Sequence, residues 1–148
     1  MIPKTPPNRP KCHSHLIVPG LCQPLDFVPF HANEKAPLLR RLFAGDDVNS
    51  HLGKHIVAHE ISDVKNLDRR YCEEHVHDCD EINIIMPINK LRYNITLGGE
   101  QYTVDAPACI YIPAGLSHSA NVIEGSGYYI AIIETTDYKR SLTNRSEE

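Results

Sequence analysis

Residues 91–104 read LRYNITLGGEQYTV, and this stretch gives the first indication of the fold class. From Leu91 to Leu97 every second side chain is apolar, which is the two-residue period of a half-buried β-strand. Two glycines and Glu100 follow, and the residues QYTV (101–104) resume an extended pattern. The stretch therefore predicts a β-hairpin that is closed by a short glycine turn.

Further apolar segments of strand length lie on both sides of this hairpin. Glycine and proline separate them, as in Pro113-Ala114-Gly115 and Gly125-Ser126-Gly127. LLRRLFA (38–44) fits either a turn of helix or a short strand. Six or more short strands with little helix predict an all-β sandwich or barrel. The other segments are HIVAHEI (55–61), EINIIMP (81–87), ACIYIP (108–113), SANVI (119–123) and YYIAIIE (128–134).

The two ends of the chain differ from this middle part. Eight of the eleven prolines lie in residues 1–37. Proline restricts φ and lacks an amide hydrogen, so we expect an extended, proline-rich N-terminal arm there. The predicted barrel occupies residues 38–137, and a charged C-terminal tail follows over residues 138–148.

The length, net charge and cysteine count of the chain argue for some classes of protein and against others. A chain of 148 residues has room for one domain, and its net charge of −4 argues against a nucleic-acid partner. No apolar run approaches the length of about 20 residues that a membrane-spanning helix needs. An odd count of five cysteines, without an apolar export signal, favours the reducing cytoplasm.

Three of the nine histidines and one carboxylate stand at spacings that suit metal binding. His75 and His77 point to the same side of an extended chain because they are two residues apart. A short bend would bring the carboxylate of Glu81 towards both rings, and His118 opens a later strand after a tight turn. Imidazole and carboxylate groups are common ligands of divalent metal ions. Acid–base work in a barrel without a metal ion is the alternative role for these residues.

The pattern HxHxxxE at residues 75–81, followed by PxGxxH at residues 113–118, resembles the two signature motifs of the cupin superfamily. The resemblance covers residues 50–135 and implies a double-stranded β-helix, also called a jelly-roll barrel. It also implies one divalent metal ion inside the barrel. The turn glycines that usually flank the motifs are replaced. The implied ligands are His75, His77, Glu81 and His118, and the replacements are Arg69, Ile88 and Pro107.

The resemblance implies a small metalloenzyme that acts on a small oxygenated metabolite. Nitrogen and oxygen ligands suit Fe(II), Zn(II), Mn(II), Ni(II) or Cu(II), and Fe(II) is our first choice. Three histidines and one glutamate leave two positions of a six-coordinate ion open, so an Fe(II)-dependent dioxygenase is the first hypothesis. An isomerase, lyase or dehydratase that uses Zn, Mn or Ni as a Lewis acid is the alternative. A non-catalytic cupin that binds a small molecule is a third possibility.

Other residues are candidates to line the pocket. His55 and His59 share one face of the predicted strand 55–61, where either is suited to act as a general base or to hold a substrate carboxylate. We assign His59 to catalysis and His55 to substrate binding. Asn83 lies two residues after Glu81, and strand alternation directs it inward as a second catalytic candidate. The remaining substrate-binding candidates, each of which also fits an ordinary strand position, are Arg92, Tyr93, Tyr111 and Tyr129.

The resemblance also suggests how copies of the chain assemble. Many cupins form dimers through the edges of their sheets, and exposed sheet edges need a cover in any case. We therefore expect a homodimer in which the N-terminal arm crosses to the neighbouring subunit. The expected ligand is a small-molecule substrate.

Overall fold

A computed structural model describes residues 2–3, 11–23 and 38–143. This part of the chain is mostly antiparallel β-sheet, and the all-β fold class is confirmed. Within these described ranges, helix is limited to two 3-10 turns, Ser14–Leu16 and Ser50–Leu52, and to the short helix α1, Tyr138–Ser141. The strands are β1 (Leu21–Cys22), β2 (Leu38–Ala44), β3 (His55–Val64), β4 (Glu81–Leu97), β5 (Glu100–Asp105), β6 (Ala108–Ile112) and β7 (His118–Ile133).

The strands pair in the order β1-β2-β3-β7-β4-β5, and β6 also pairs with β4. β4 and β7 run side by side over their whole lengths, from Glu81 opposite Ile133 to Leu97 opposite His118. The first part of β4 pairs with β6 on its other edge, whereas the last part pairs with β5. The two long strands therefore belong to both halves of the barrel and join them.

The long strands bend where they cross from one half of the barrel to the other. Their register shifts between Pro87 and Leu91. Gly125 of β7 has a φ of +108°, and a Cβ atom there would lie 2.0 Å from the carbonyl oxygen of Lys90. The sequence predicts that strands end at Pro87 and at residues 125–127, but the structure has one continuous strand through each. A bulge at this corner interrupts the ladder, so the missing amide hydrogen of proline is tolerated.

The structure agrees with the predicted hairpin and settles the segment 38–44. The hairpin between β4 and β5 closes through Gly98 and Gly99, both at positive φ, and the segment 38–44 is a strand. Most of the predicted N-terminal arm lies outside the described residues, but β1 pairs with β2. Tyr138 and Ser141, which the sequence places in the charged tail, are buried against the barrel. No helix in the described residues has the length and apolarity to cross a membrane.

The core consists of the inward-facing side chains of the long strands. Alternate residues of β3 and of both halves of β4 are buried, as the two-residue period requires. One group of buried polar side chains lies inside the barrel and forms the candidate site. The largest fully buried apolar side chains are Ile61, Ile85, Leu91, Tyr93, Ile95 and Val122.

Candidate metal centre

Four polar side chains meet inside the barrel. His75 lies in the segment before β4 and pairs through its backbone with His118, the first residue of β7. His77 pairs in the same way with Leu142, and Glu81 is the first residue of β4. None of the three histidines or the glutamate is more than 7% exposed. The strand ends thus bring together residues that are up to 43 positions apart in the sequence.

The donor atoms surround a common point. One ring nitrogen from each of His75, His77 and His118 lies within 4.8 Å of those of the other two. Oε1 of Glu81 is 3.6 Å from Nε2 of His77 and 3.4 Å from Nε2 of His118. Donors that bind one ion at about 2.1 Å lie about 3 to 4 Å apart. The separations from Glu81 to the two rings fall within that range.

In each ring the hydrogen bond made by Nδ1 determines that Nε2 faces the centre. Each Nδ1 donates its hydrogen to a nearby oxygen, so each Nε2 is left as an acceptor. Ser141 donates its own hydroxyl hydrogen to the carbonyl of Tyr138 at 2.6 Å and accepts from His77. The Nδ1 partners are the carbonyl of Glu73 for His75 (2.8 Å), the carbonyl of Leu116 for His118 (2.9 Å) and the hydroxyl of Ser141 for His77 (2.7 Å).

Three atoms at the centre test whether a metal ion fits. Nε2 of His77, Oε1 of Glu81 and Nε2 of His118 are buried and have no hydrogen-bond partner within the described part of the chain. Buried polar atoms without partners are costly. A divalent cation would satisfy all three atoms at once, and three nitrogens with one carboxylate oxygen are an ordinary donor set for such ions. The residues present therefore fit a single metal ion.

The protonation states also suit a cation. Burial lowers the pKa of His77 to about 4, so this ring is neutral near pH 7. Burial alone would raise the pKa of Glu81, but the neighbouring ring of His118, the hydrogen bond from Asn83 and the ring of His77 outweigh burial and lower it. Burial opposes the charge on His118 as well, yet the carboxylate of Glu81 raises the pKa of that ring. Glu81 is therefore ionised and available as a ligand.

Comparison with known proteins identifies the fold. No family model matches the sequence, and no curated protein matches it either. A cupin-like protein from Thermotoga maritima superposes with a TM-score of 0.52 at 12% identity, and the match covers 72% of each chain. Oxalate decarboxylase from Bacillus subtilis superposes with a TM-score of 0.51 at 17% identity, over 74% of this chain and 28% of that one. The chain has the cupin fold. A second structure of this oxalate decarboxylase, which concerns its Mn(II) centres, also matches.

A small cavity lies beside His75, Glu81 and His118 in the cupin barrel. Its volume is about 30 Å³, close to that of one or two water molecules. Arg40, His59, Tyr129 and Tyr138 line it together with apolar side chains such as Val57. The ring of Tyr138 also lines a larger outer pocket of about 490 Å³, which includes Gln23 and His55. Tyr138 therefore stands between the two spaces, with its hydroxyl 3.4 Å from Nε2 of His75.

Several sequence-predicted residues lie at or near this cavity. His59 lines it and stacks on Tyr129, with ring centroids 5.4 Å apart. His55 lines the outer pocket instead. Asn83 donates from Nδ2 to Oε2 of Glu81 at 2.6 Å, so it orients the carboxylate from behind. Tyr93 is buried and stacks on Tyr129 at 5.2 Å.

Two predicted substrate-binding residues point away from the cavity. Arg92 forms ion pairs with Asp105 and Glu124 on the outer side of the sheet. Tyr111 lies on β6 and is 59% exposed. Neither side chain is brought to the cavity, because strand alternation turns each to the outer face.

Three residues of the site are absent from the sequence predictions. Arg40 lies on the same face of β2 as the buried Leu42 and Ala44, but the sequence leaves residues 38–44 open between helix and strand. Tyr138 and Ser141 lie in a short charged stretch that carries no strand or motif pattern. Only the folded chain shows that this stretch closes over the histidine cluster.

Proposed function

We propose that this cupin is a metal-dependent enzyme that acts on a small oxygenated metabolite. The observation that carries the proposal is the group of buried donor atoms on His77, Glu81 and His118 that lack hydrogen-bond partners and converge beside a cavity. A protein that uses these residues only for packing gains nothing from leaving them unpaired. A bound cation and an exchangeable ligand account for both features.

The ion would supply the electrophilic part of the chemistry. A divalent ion at the four ligands would polarise the oxygens of a bound substrate, and Fe(II) would in addition allow dioxygen to react. An Fe(II)-dependent dioxygenase is the reaction that we place first. The four ligands leave two positions of a six-coordinate ion for a substrate and dioxygen.

The chain itself offers a group for proton transfer. Nε2 of His59 lies 3.3 Å from Nη1 of Arg40 and accepts a hydrogen bond from it, so the ring presents an unprotonated nitrogen inside the barrel. His59 and the ligands His75, Glu81 and His118 line the same cavity. Nε2 would take a proton released from a substrate hydroxyl or carbon at the centre once the hydrogen bond from Arg40 breaks, because its one lone pair cannot accept both.

Lewis-acid chemistry is the second candidate reaction. The similarly folded oxalate decarboxylase has Mn(II) centres, which favours Mn(II) as an alternative occupant. With Mn, Zn or Ni the same ligands would serve an isomerase, lyase or dehydratase, and His59 would again exchange the proton. The two candidates differ in one measurable property, because only the dioxygenase consumes oxygen.

Elemental analysis of protein purified without added metal tests the proposal. We expect a near-stoichiometric divalent metal in the wild type and its loss in His75→Ala and His118→Ala. His51→Ala is the control, because His51 is exposed in a 3-10 turn. Iron, followed by oxygen uptake with small hydroxy acids, diketones or phenols, supports the dioxygenase. Manganese, zinc or nickel supports the Lewis-acid reaction, and no metal even after reconstitution contradicts the enzyme proposal.

A further inference from the structure

Arg40 is a buried charge next to the metal centre. Its side chain is on β2, the residue is 5% exposed, and it lines the inner cavity together with His75, Glu81 and His118. Nε donates to Oε1 of Gln23 at 3.0 Å. The two terminal nitrogens, Nη1 and Nη2, donate to Nε2 of His59 and Nε2 of His55, each at 3.3 Å. All three acceptors are uncharged in this arrangement.

No carboxylate in the described residues forms an ion pair with Arg40. The neighbouring Arg41 differs, because it faces outward and pairs with Glu60. Buried charges in proteins are normally paired, since an unpaired charge loses its hydration without compensation. Burial lowers the pKa of Arg40 to about 10, which leaves the side chain charged near pH 7. Arg40 therefore carries a positive charge that no carboxylate contacts within the described residues, although Glu81 lines the same cavity.

We propose that Arg40 is the binding site for a carboxylate group of the substrate, which makes the substrate a small hydroxy or keto acid. Three of the five N–H groups of the guanidinium are used by Gln23, His55 and His59, so one N–H on each terminal nitrogen remains. Two such donors are what a carboxylate needs for paired hydrogen bonds. This assignment rests on the proposed function, because the hydroxyl or keto oxygen of the acid would bind the metal ion.

The charge of the site agrees with a small acid. The charge of a divalent ion exceeds that of Glu81 by one, and Arg40 adds a second positive charge, so an anion is attracted and a neutral molecule is not. The inner cavity of about 30 Å³ is close to the volume of one or two water molecules, so an acid would need space from the outer pocket, which Tyr138 also lines. His55 and His59 hold the guanidinium from the side of β3, which keeps its remaining donors in place.

Calorimetric titration of the metal-loaded protein with matched acids and amides tests this assignment. The probes are glycolate and pyruvate, each beside its uncharged amide. We expect Arg40→Gln to weaken binding of at least one acid about 10- to 100-fold, which is the range for a charged hydrogen-bonded group. Binding of the amides should change little. Arg41→Gln is the matched control, because it removes the adjacent arginine from the outer face of the same strand.

Arg40→Lys is a second variant that keeps the positive charge but loses the two N–H donors that would bind the carboxylate. Circular dichroism checks that each variant is folded. We expect its affinity for the acid to lie between those of the wild type and Arg40→Gln. The assignment is overturned if no acid binds more tightly than its amide, or if Arg40→Gln weakens acid and amide equally. It is also overturned if Arg41→Gln has the same effect.

Metal content measured on the same samples separates the two proposals. If the wild type holds its ion and the acid preference is absent, the carboxylate site is wrong while the metal enzyme stands. If the wild type holds no ion, the proposed function fails, and the same titrations of the metal-free protein still decide about Arg40. A preference for acid over amide that disappears in Arg40→Gln supports the carboxylate site, and its absence contradicts it.

Discussion

The hydroxyl of Ser141 holds the ring of His77 from a short helix that follows the last strand. Groups that hydrogen-bond to the outer nitrogen of a metal-binding histidine fix its orientation, and their loss typically weakens metal binding about 10- to 100-fold. We expect that loss in Ser141→Ala, measured by competition with a chelator of known affinity. The matched control is Ser119→Ala, because Ser119 is equally buried and its hydroxyl has no partner among the described residues. Equal losses in both variants would contradict a specific role for Ser141.

The buried His55 makes the stability of the protein depend on pH. Burial and the charge of Arg40 lower its pKa to about 4, below the ordinary value of 6.5. Above pH 6.5 the ring is neutral in both states, and its contribution to stability is complete. Below pH 6.5 the unfolded chain binds the proton first, so the free energy of unfolding falls until about pH 4, by up to about 3 kcal/mol.

Urea unfolding of the metal-free protein at several pH values measures this effect. His55→Gln keeps an acceptor for Arg40 but removes the titrating ring, so its stability should fall less between pH 6.5 and pH 4. His51→Gln, at an exposed position, should follow the wild type. A decline in His55→Gln as steep as that of the wild type would rule out His55 as the cause.

Sequence patterns find some residues of the site and miss others for a physical reason. His75, His77, Glu81 and His118 are detectable because chemically distinctive residues stand at fixed spacings next to predicted strands, and the structure brings their side chains together. Arg40 belongs to the same cavity but has no motif, since an arginine in a strand is usually exposed. Its inward direction depends on the pairing of β2 with β3, which is a property of the folded sheet.

At the scale of the strands, Gly125 is where β7 passes closest to β4. An added Cβ atom would lie 2.0 Å from the backbone oxygen of Lys90, and backbone cannot move aside as a flexible side chain can. We expect Gly125→Ala to lower the free energy of unfolding by about 3 kcal/mol or more, measured by urea denaturation.

Gly99→Ala is the control for Gly125→Ala, because it adds the strain of a positive φ without the steric overlap. Gly99 also has a positive φ, but a Cβ atom there would meet no atom within 4 Å. Its cost should stay near the 1–2 kcal/mol of a left-handed residue, roughly the conformational penalty alone. If both variants cost the same, the bend of β4 and β7 does not require the close approach at Gly125.

The bend of β4 and β7 shows which strand boundaries a local sequence pattern can predict. The hairpin between β4 and β5 is predictable because period, turn glycines and pairing all lie within residues 91–104. Proline at position 87 and the glycines at 125 and 127 read as strand ends for the same local reason. In the folded chain these residues face each other across one bend, with Pro87 opposite Gly127, so the two interruptions compensate. That compensation depends on contacts between residues about 40 positions apart, which no local window contains.

At the scale of the whole molecule, the outer face of β2 predicts how the protein assembles. Leu39 and Phe43 are 57% and 39% exposed on the same face of the strand, opposite to the face of the buried Leu42. Clustered exposed apolar side chains mark contact surfaces. β1 and β2 lie at one end of the strand order, so this face is accessible to a second copy of the chain. We therefore keep the prediction of a homodimer and assign its contact to this face.

Light scattering during size-exclusion chromatography tests that assignment. The wild type should elute with twice the mass of the chain, and the double variant Leu39→Glu, Phe43→Glu should elute as a monomer because buried carboxylates would lack partners. Tyr111→Glu changes an equally exposed side chain on β6 and should leave the dimer intact. A monomeric wild type at high concentration would exclude the homodimer. A dimer that only Tyr111→Glu disrupts would move the contact to the other side of the barrel. Since Arg40 lies between Leu39 and Arg41 on the same strand, dissociation that also weakened acid binding would show that assembly helps to hold the cavity wall in place.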